Sequence, residues 1–151
     1  DKIRSYTQSG GNLFLSGAYV GFDLFDNEND SLDRQFGEEV LKYKFRTDHA
    51  AKTGKLNVIT QDLFQLETTQ ILEFNTRYHP SLYKVESPDA IEPSAPEALT
   101  ILRYAENNTS AAIAASGESN IIVFGFPFES ILSETSRDKV MASVLKFLDS
   151  K

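Results

Sequence analysis

The segment that most constrains this chain is Asn120–Phe126, NIIVFGF. It is β-branched and aromatic with no charge, so it predicts a strand buried on both faces, as in the middle of an α/β sheet. Pro127 stops it. The residues from Ser136 to Leu148 then read as a helix. Ser136 is placed to cap it, Asp138 lies early, and Val140, Val144, Leu145, Phe147 and Leu148 build one apolar face. Arg137 in its first turn is placed to pair with a carboxylate.

The rest of the chain alternates in the same way. The first nine residues read as the end of a helix stopped at Gly10-Gly11. Asn12–Ala18, NLFLSGA, is a short apolar run and a second candidate for a strand buried on both faces. Ser31 opens a helix with Leu32, Phe36 and Val40 at helical spacing. Strands are expected at Tyr43–Phe45, Leu56–Thr60, Ile71–Thr76 and Tyr83–Glu86. Pro88, Pro93 and Pro96 predict an extended connection. Leu99–Tyr104 and Ser110–Ala115, joined by a turn at Glu106-Asn107-Asn108, predict a hairpin. The pattern gives one α/β domain over residues 1–151 with a mixed sheet. An opening helix with no strand before it predicts structure upstream of residue 1, the alternative being a short capping helix at a true N-terminus.

Charge and composition narrow the function classes. The net charge is −7 and the pI about 4.8, which opposes nucleic acid and anionic membrane surfaces as partners. The chain has no cysteine, so disulfides, thiolate metal sites and thiol nucleophiles are excluded. No apolar run approaches the roughly 20 residues of a spanning helix. No cofactor motif is present.

In an open α/β sheet, ligands bind beyond the carboxyl ends of the strands. Two loops are expected there, Ser16–Gly21 and Gly125–Glu129. If their strands are neighbours, Ser16, Gly17, Tyr19, Asp23, Phe126 and Glu129 converge on one ligand pocket. Ser16 lacks the G-x-S-x-G elbow, and His49 and His79 stand in no motif, so Ser16 and Glu129 are weak catalytic candidates beside a structural role. Asp23, Asp26, Asn27, Asn29 and Asp30 offer oxygen ligands for calcium, but without the glycine and glutamate of an EF-hand loop a solvated acidic loop is the better reading, and no metal is expected. Tyr19, Phe22, Phe25, Phe126 and Phe128 are candidates for stacking on sugar rings, with core packing as the alternative. Asn107-Asn108-Thr109 matches a glycosylation sequon.

Taken together, GGNLFLSGAYVGFDL at 10–24, VFGFPFESI at 123–131 and RDKVMASVLKFL at 137–148 resemble a Bacteroidetes domain that carries a xanthan lyase label. The segment DAIEPSAPEALTILRYAENNTSAAIA at 89–114 is in keeping with it. That domain is similar to the class I glutamine amidotransferase-like fold, which implies a flavodoxin-like three-layer α/β/α sandwich. Such enzymes place a cysteine at a Gly-x-Cys-x-Gly elbow and a histidine and glutamate late in the domain. Here Ser16-Gly17-Ala18 stands at the first loop and Gly125–Glu129, without histidine, at the second. Only Glu129 carries over. The resemblance therefore implies a non-catalytic accessory or binding domain of a secreted, periplasmic or cell-surface polysaccharide-related protein. Its partners would be other domains, another chain (a homodimer included) or carbohydrate. The alternatives are a divergent hydrolase or lyase at Ser16 and Glu129, and a carbohydrate-binding module. A sheet edge left open by absent upstream strands predicts a pairing strand from elsewhere.

Overall fold

The computed structural model describes residues 2–26, 31–59, 62–66 and 71–150. Helix α1 (Lys2–Gln8) leads through Gly10 and Gly11 into strand β1 (Leu13–Ser16). Gly10 has φ 83°, the left-handed stop that a glycine allows. A short helix α2 (Phe22–Phe25) follows, then α3 (Ser31–Gln35), which widens into a π turn at Phe36–Val40. The strands are β2 (Tyr43–Thr47), β3 (Lys55–Val58), β4 (Leu72–Glu73), β5 (Ala90–Pro93), β6 (Ala98–Tyr104), β7 (Ser110–Ala115) and β8 (Ile121–Phe124). A 3-10 turn (Phe128–Ser130) and helix α4 (Glu134–Leu148) complete the described chain.

The fold is mixed α/β. Six strands form one sheet in the order β1-β8-β7-β6-β3-β4, and β2 and β5 form a separate antiparallel pair. Among the described strands only β1 and β8 run parallel, with Leu13 opposite Ile121 and Ser16 opposite Phe124. The expected hairpin is β6 against β7, antiparallel, with Leu99 opposite Ala114.

Two apolar clusters follow from strand alternation. Ile122 and Phe124 of β8, with Ala112 and Ala114 of β7, join Val140, Val144 and Phe147 of α4. Ile121 and Val123, with Ile113, join Tyr43, Ile91, Phe25 and Val40. Each large side chain so buried contributes about 2 kcal/mol. Two asparagines tie the sheet to the end of α4. Asn12 Nδ2 donates to Leu148 O at 2.6 Å, and Asn120 Nδ2 donates to Phe147 O at 2.9 Å. Asn12 Oδ1 in turn accepts the Asn120 N–H at 2.9 Å.

Several expectations need correction. β1 is not a central strand: it borders the described sheet, and all four of its residues are half-buried because only β8 pairs with it. The stripe expected from Ser31 is broken by the π turn, which buries Val40 and leaves Leu32 69% exposed. The strand expected at 71–76 is only Leu72–Glu73, followed by a single bridge from Phe74 to Ile131. Tyr83–Glu86 forms no ladder, although the Val85 N–H donates to Asn75 O at 2.9 Å. The connection between the prolines contains β5, which ends at Pro93. Helix α4 starts one turn early, because Ser133 Oγ accepts the Ser136 N–H at 3.2 Å and Ser136 itself is buried. Leu145 lies off the apolar face, 53% exposed. Arg137 donates to Ile131 O and Leu132 O instead of pairing with a carboxylate. The expected strand end at Thr60 and the calcium candidates Asn27, Asn29 and Asp30 lie outside the described residues.

Candidate functional site

The parallel pairing of β1 and β8 brings the two expected loops together. The Gly17 N–H donates to Phe124 O at 3.3 Å, and the Phe128 N–H donates to Ser16 Oγ at 3.3 Å. Ser16 is thus held by the backbone of the second loop, and Glu129, the residue after Phe128, is exposed. The histidines are engaged elsewhere. His49 is exposed, with Nε2 3.5 Å from Asp48 Oδ2, and His79 Nδ1 accepts the Ser81 N–H at 3.1 Å.

Aromatic rings pack together at and just after the end of β8. Phe126 is fully buried and stacks on Phe74 at 5.0 Å and on Phe124 at 5.2 Å. Phe14 meets Phe124 and Phe128 edge-on at 5.1 and 5.9 Å. Of the five aromatics considered for sugar stacking, only Tyr19 is exposed, at 44%. Phe22 and Phe128 are half-buried, and Phe25 packs in the second cluster.

Beneath the first loop lies a residue that sequence reasoning missed. Asp89 is fully buried. Its Oδ2 accepts the Gly21 N–H at 2.7 Å and the Phe22 N–H at 3.2 Å. Its Oδ1 is buried with no hydrogen-bond partner. Burial pushes the carboxyl up to about 7, against the pull of the two N–H groups, and Asp48 and Asp23 add to the rise. The backbone of Asp89 is fastened as well: its N–H donates to Gly125 O at 2.7 Å, and its carbonyl accepts the Tyr104 hydroxyl at 2.7 Å. The Tyr43 hydroxyl donates to Val20 O in the same loop. Burial and then the Asp89 charge hold both phenols above their ordinary range. Nothing in SPDAIEP marks Asp89, because its partners come from residues distant in sequence.

Glycines make this approach possible. A Cβ on Gly125 would lie 2.1 Å from Asp89 O, and one on Gly21 would lie 2.6 Å from the Phe45 ring. The arrangement lets Asp89 fix the 17–22 loop. Tyr19 stands on that loop and Asp23 in the first turn of α2 that follows it, and both face solvent. Among the described residues, no group of three or more His, Asp or Glu side chains could hold a metal ion.

A cleft of about 300 Å³ opens at the other end of the parallel pair. Its charged lining is Arg4, Lys42, Glu39, Glu97 and Glu118. Arg4 pairs with Glu39 at 3.4 Å and Lys42 with Glu97 at 3.0 Å. No aromatic ring lines it. The Asn107 of the sequon is committed to its turn, with Oδ1 accepting from the Thr109 hydroxyl at 2.7 Å and Nδ2 donating to Ala50 O. Among the described residues, no helix is long and apolar enough to cross a membrane.

No family model matches the chain, and neither does any curated protein.

Proposed function

We propose that this chain is a non-catalytic binding or accessory domain with an amidotransferase-like, flavodoxin-like arrangement of helices on both faces of its sheet. The observation that carries the reading is the stack Phe74–Phe126–Phe124. It fills the place where an α/β enzyme of this kind would hold its substrate. The engagement of Ser16 by the Phe128 N–H supports it further, since a nucleophile needs a base within hydrogen-bond reach. Both faces of β7 and β8 are covered, by α4 on one side and by α2, the π turn and the β2–β5 pair on the other, which supports a layered arrangement. The resemblance to the xanthan lyase-labelled domain makes a secreted or cell-envelope, polysaccharide-related protein the setting. Any lyase chemistry of such a protein would reside in another domain.

The test is turnover by the purified chain. Glutamine, activated esters and a uronate-containing polysaccharide are offered to the chain and to its Ser16→Ala and Glu129→Gln variants. The expected result is no turnover above buffer for any of the three proteins. Turnover by the unmodified chain that Ser16→Ala abolishes overturns the reading.

A further inference from the structure

Asp89 meets the 17–22 loop with one oxygen only. The Gly21 and Phe22 N–H groups both donate to Oδ2, at 2.7 and 3.2 Å. Oδ1 is buried with no hydrogen-bond partner. Two bonds on one oxygen leave the other as the place for a proton. The groups that bear on this carboxyl from the surrounding elements are Asp48 after β2, Asp23 in α2, and the phenols of Tyr43 on β2 and Tyr104 on β6. None of these carries a positive charge. His49 turns to Asp48 instead, with Nε2 3.5 Å from Asp48 Oδ2. Once ionised, Asp89 is a buried charge with no counter-ion among these groups. A charge so placed is costly until water reaches it.

Only one side of the contact can give way. The Asp89 backbone is fastened to the core, its N–H to Gly125 O at 2.7 Å and its carbonyl to the Tyr104 hydroxyl at 2.7 Å. The loop is held more lightly. Ala18 is buried, but Val20 is half-buried and Tyr19 exposed. Apart from Asp89, the Tyr43 hydroxyl on Val20 O fastens its middle. Its ends are anchored, by the Gly17 N–H on Phe124 O at 3.3 Å and by Phe25 in the second apolar cluster. Gly21 closes over the carboxylate: a Cβ there would lie 3.2 Å from Asp89 Oδ2. We propose that the 17–22 loop is a proton-operated latch, in which protonated Asp89 holds the loop shut and loss of that proton lets Gly21 and Phe22 lift off and admits water to the carboxylate. The surface that carries Tyr19 then depends on pH. The inference is independent of whether the domain is catalytic.

Burial pushes the carboxyl up to about 7, which sets the range of the response. Opening returns Asp89 to water and releases its proton. The open population therefore grows about tenfold per pH unit up to about 7 and levels off above it, where closed and open forms are both ionised. The experiment is native-state hydrogen exchange of the chain from pH 5 to pH 8, at urea concentrations below the unfolding transition, with protection corrected for the intrinsic rate. Asp89→Asn accompanies it. The Gly21 and Phe22 amides are expected to exchange through an opening that urea hardly changes, because it uncovers little surface, while the β7 amides follow urea. That opening is expected to grow on the order of a hundredfold from pH 5 to pH 8 in the unmodified chain and to stay flat in Asp89→Asn. Exchange at Gly21 and Phe22 that tracks β7 in urea at every pH overturns the proposal, because only whole unfolding then frees Asp89. A local opening that is flat with pH in the unmodified chain overturns it as well. So does a pH response that survives in Asp89→Asn, since His49 or another group is then the sensor. If Asp89→Asn fails to fold, NMR of the Asp89 Cγ in the unmodified chain gives its titration directly. The opening is expected to level off where that carboxyl titrates, and a mismatch overturns the latch.

Discussion

Asp89 couples the fold to pH. Its carboxyl is pushed up to about 7 in the folded chain, against an ordinary value near 3.8. Between those values the folded state binds more protons than the unfolded state, so stability is greatest below the lower value and falls as pH rises through the upper one. A full shift of this size corresponds to on the order of 4 kcal/mol. Asn at this position keeps an oxygen for the Gly21 and Phe22 N–H groups and cannot ionise. Urea unfolding at pH 5 and pH 8 is expected to show a drop for the unmodified chain and little change for Asp89→Asn. Gly125 is the second sensitive residue. An added Cβ, fixed rigidly to the main chain, would meet the backbone oxygen of Asp89 at 2.1 Å. Gly125→Ala is therefore expected to cost about 3 kcal/mol or more, read as a fall in Tm or a loss of soluble protein.

At the level of elements, α4 owes its start to one side chain. Ser133 Oγ accepts the Ser136 N–H, and Ser133→Ala is expected to cost about 1 kcal/mol in chemical denaturation. In the sequence Ser136 also looks like a cap; the fold decides between the two serines by burying Ser136. The local patterns that did carry through are the dense ones. NIIVFGF, the β6–β7 hairpin and the Val140–Val144–Phe147 stripe each state their element within a few residues. β5 was hidden among prolines because its burial comes from Tyr43, Ile113 and Val123, all distant in sequence. The site was legible only in outline. The meeting of the Ser16 and Phe128 loops follows from two apolar strands, but Phe126 as a plug depends on Phe74. Asp89 depends on Gly21, Tyr104 and Gly125. Tertiary partners of that kind leave no periodicity to read.

For the whole molecule, stability is graded across the sheet. Every residue of β7 is buried, and β6 and β8 pair on its two sides. β4, at the border, has two residues. Native-state hydrogen exchange is expected to be slowest in β7 and β8, fully buried with a paired neighbour on each side, and much faster in β4, which pairs only with β3. Equal protection throughout would mean that the two apolar clusters unfold as one unit with the border strands.

The two buried hydroxyls have an optical consequence. The chain has no tryptophan and six tyrosines. Tyr6, Tyr19, Tyr78 and Tyr83 are exposed, whereas Tyr43 and Tyr104 are fully buried with their hydroxyl protons donated to Val20 O and to Asp89 O. Followed by phenolate absorbance in alkali, the ionisation of Tyr43 and Tyr104 is expected above the ordinary phenol range and to coincide with the loss of circular dichroism, so alkali reads the unfolding of the core directly, with no label added.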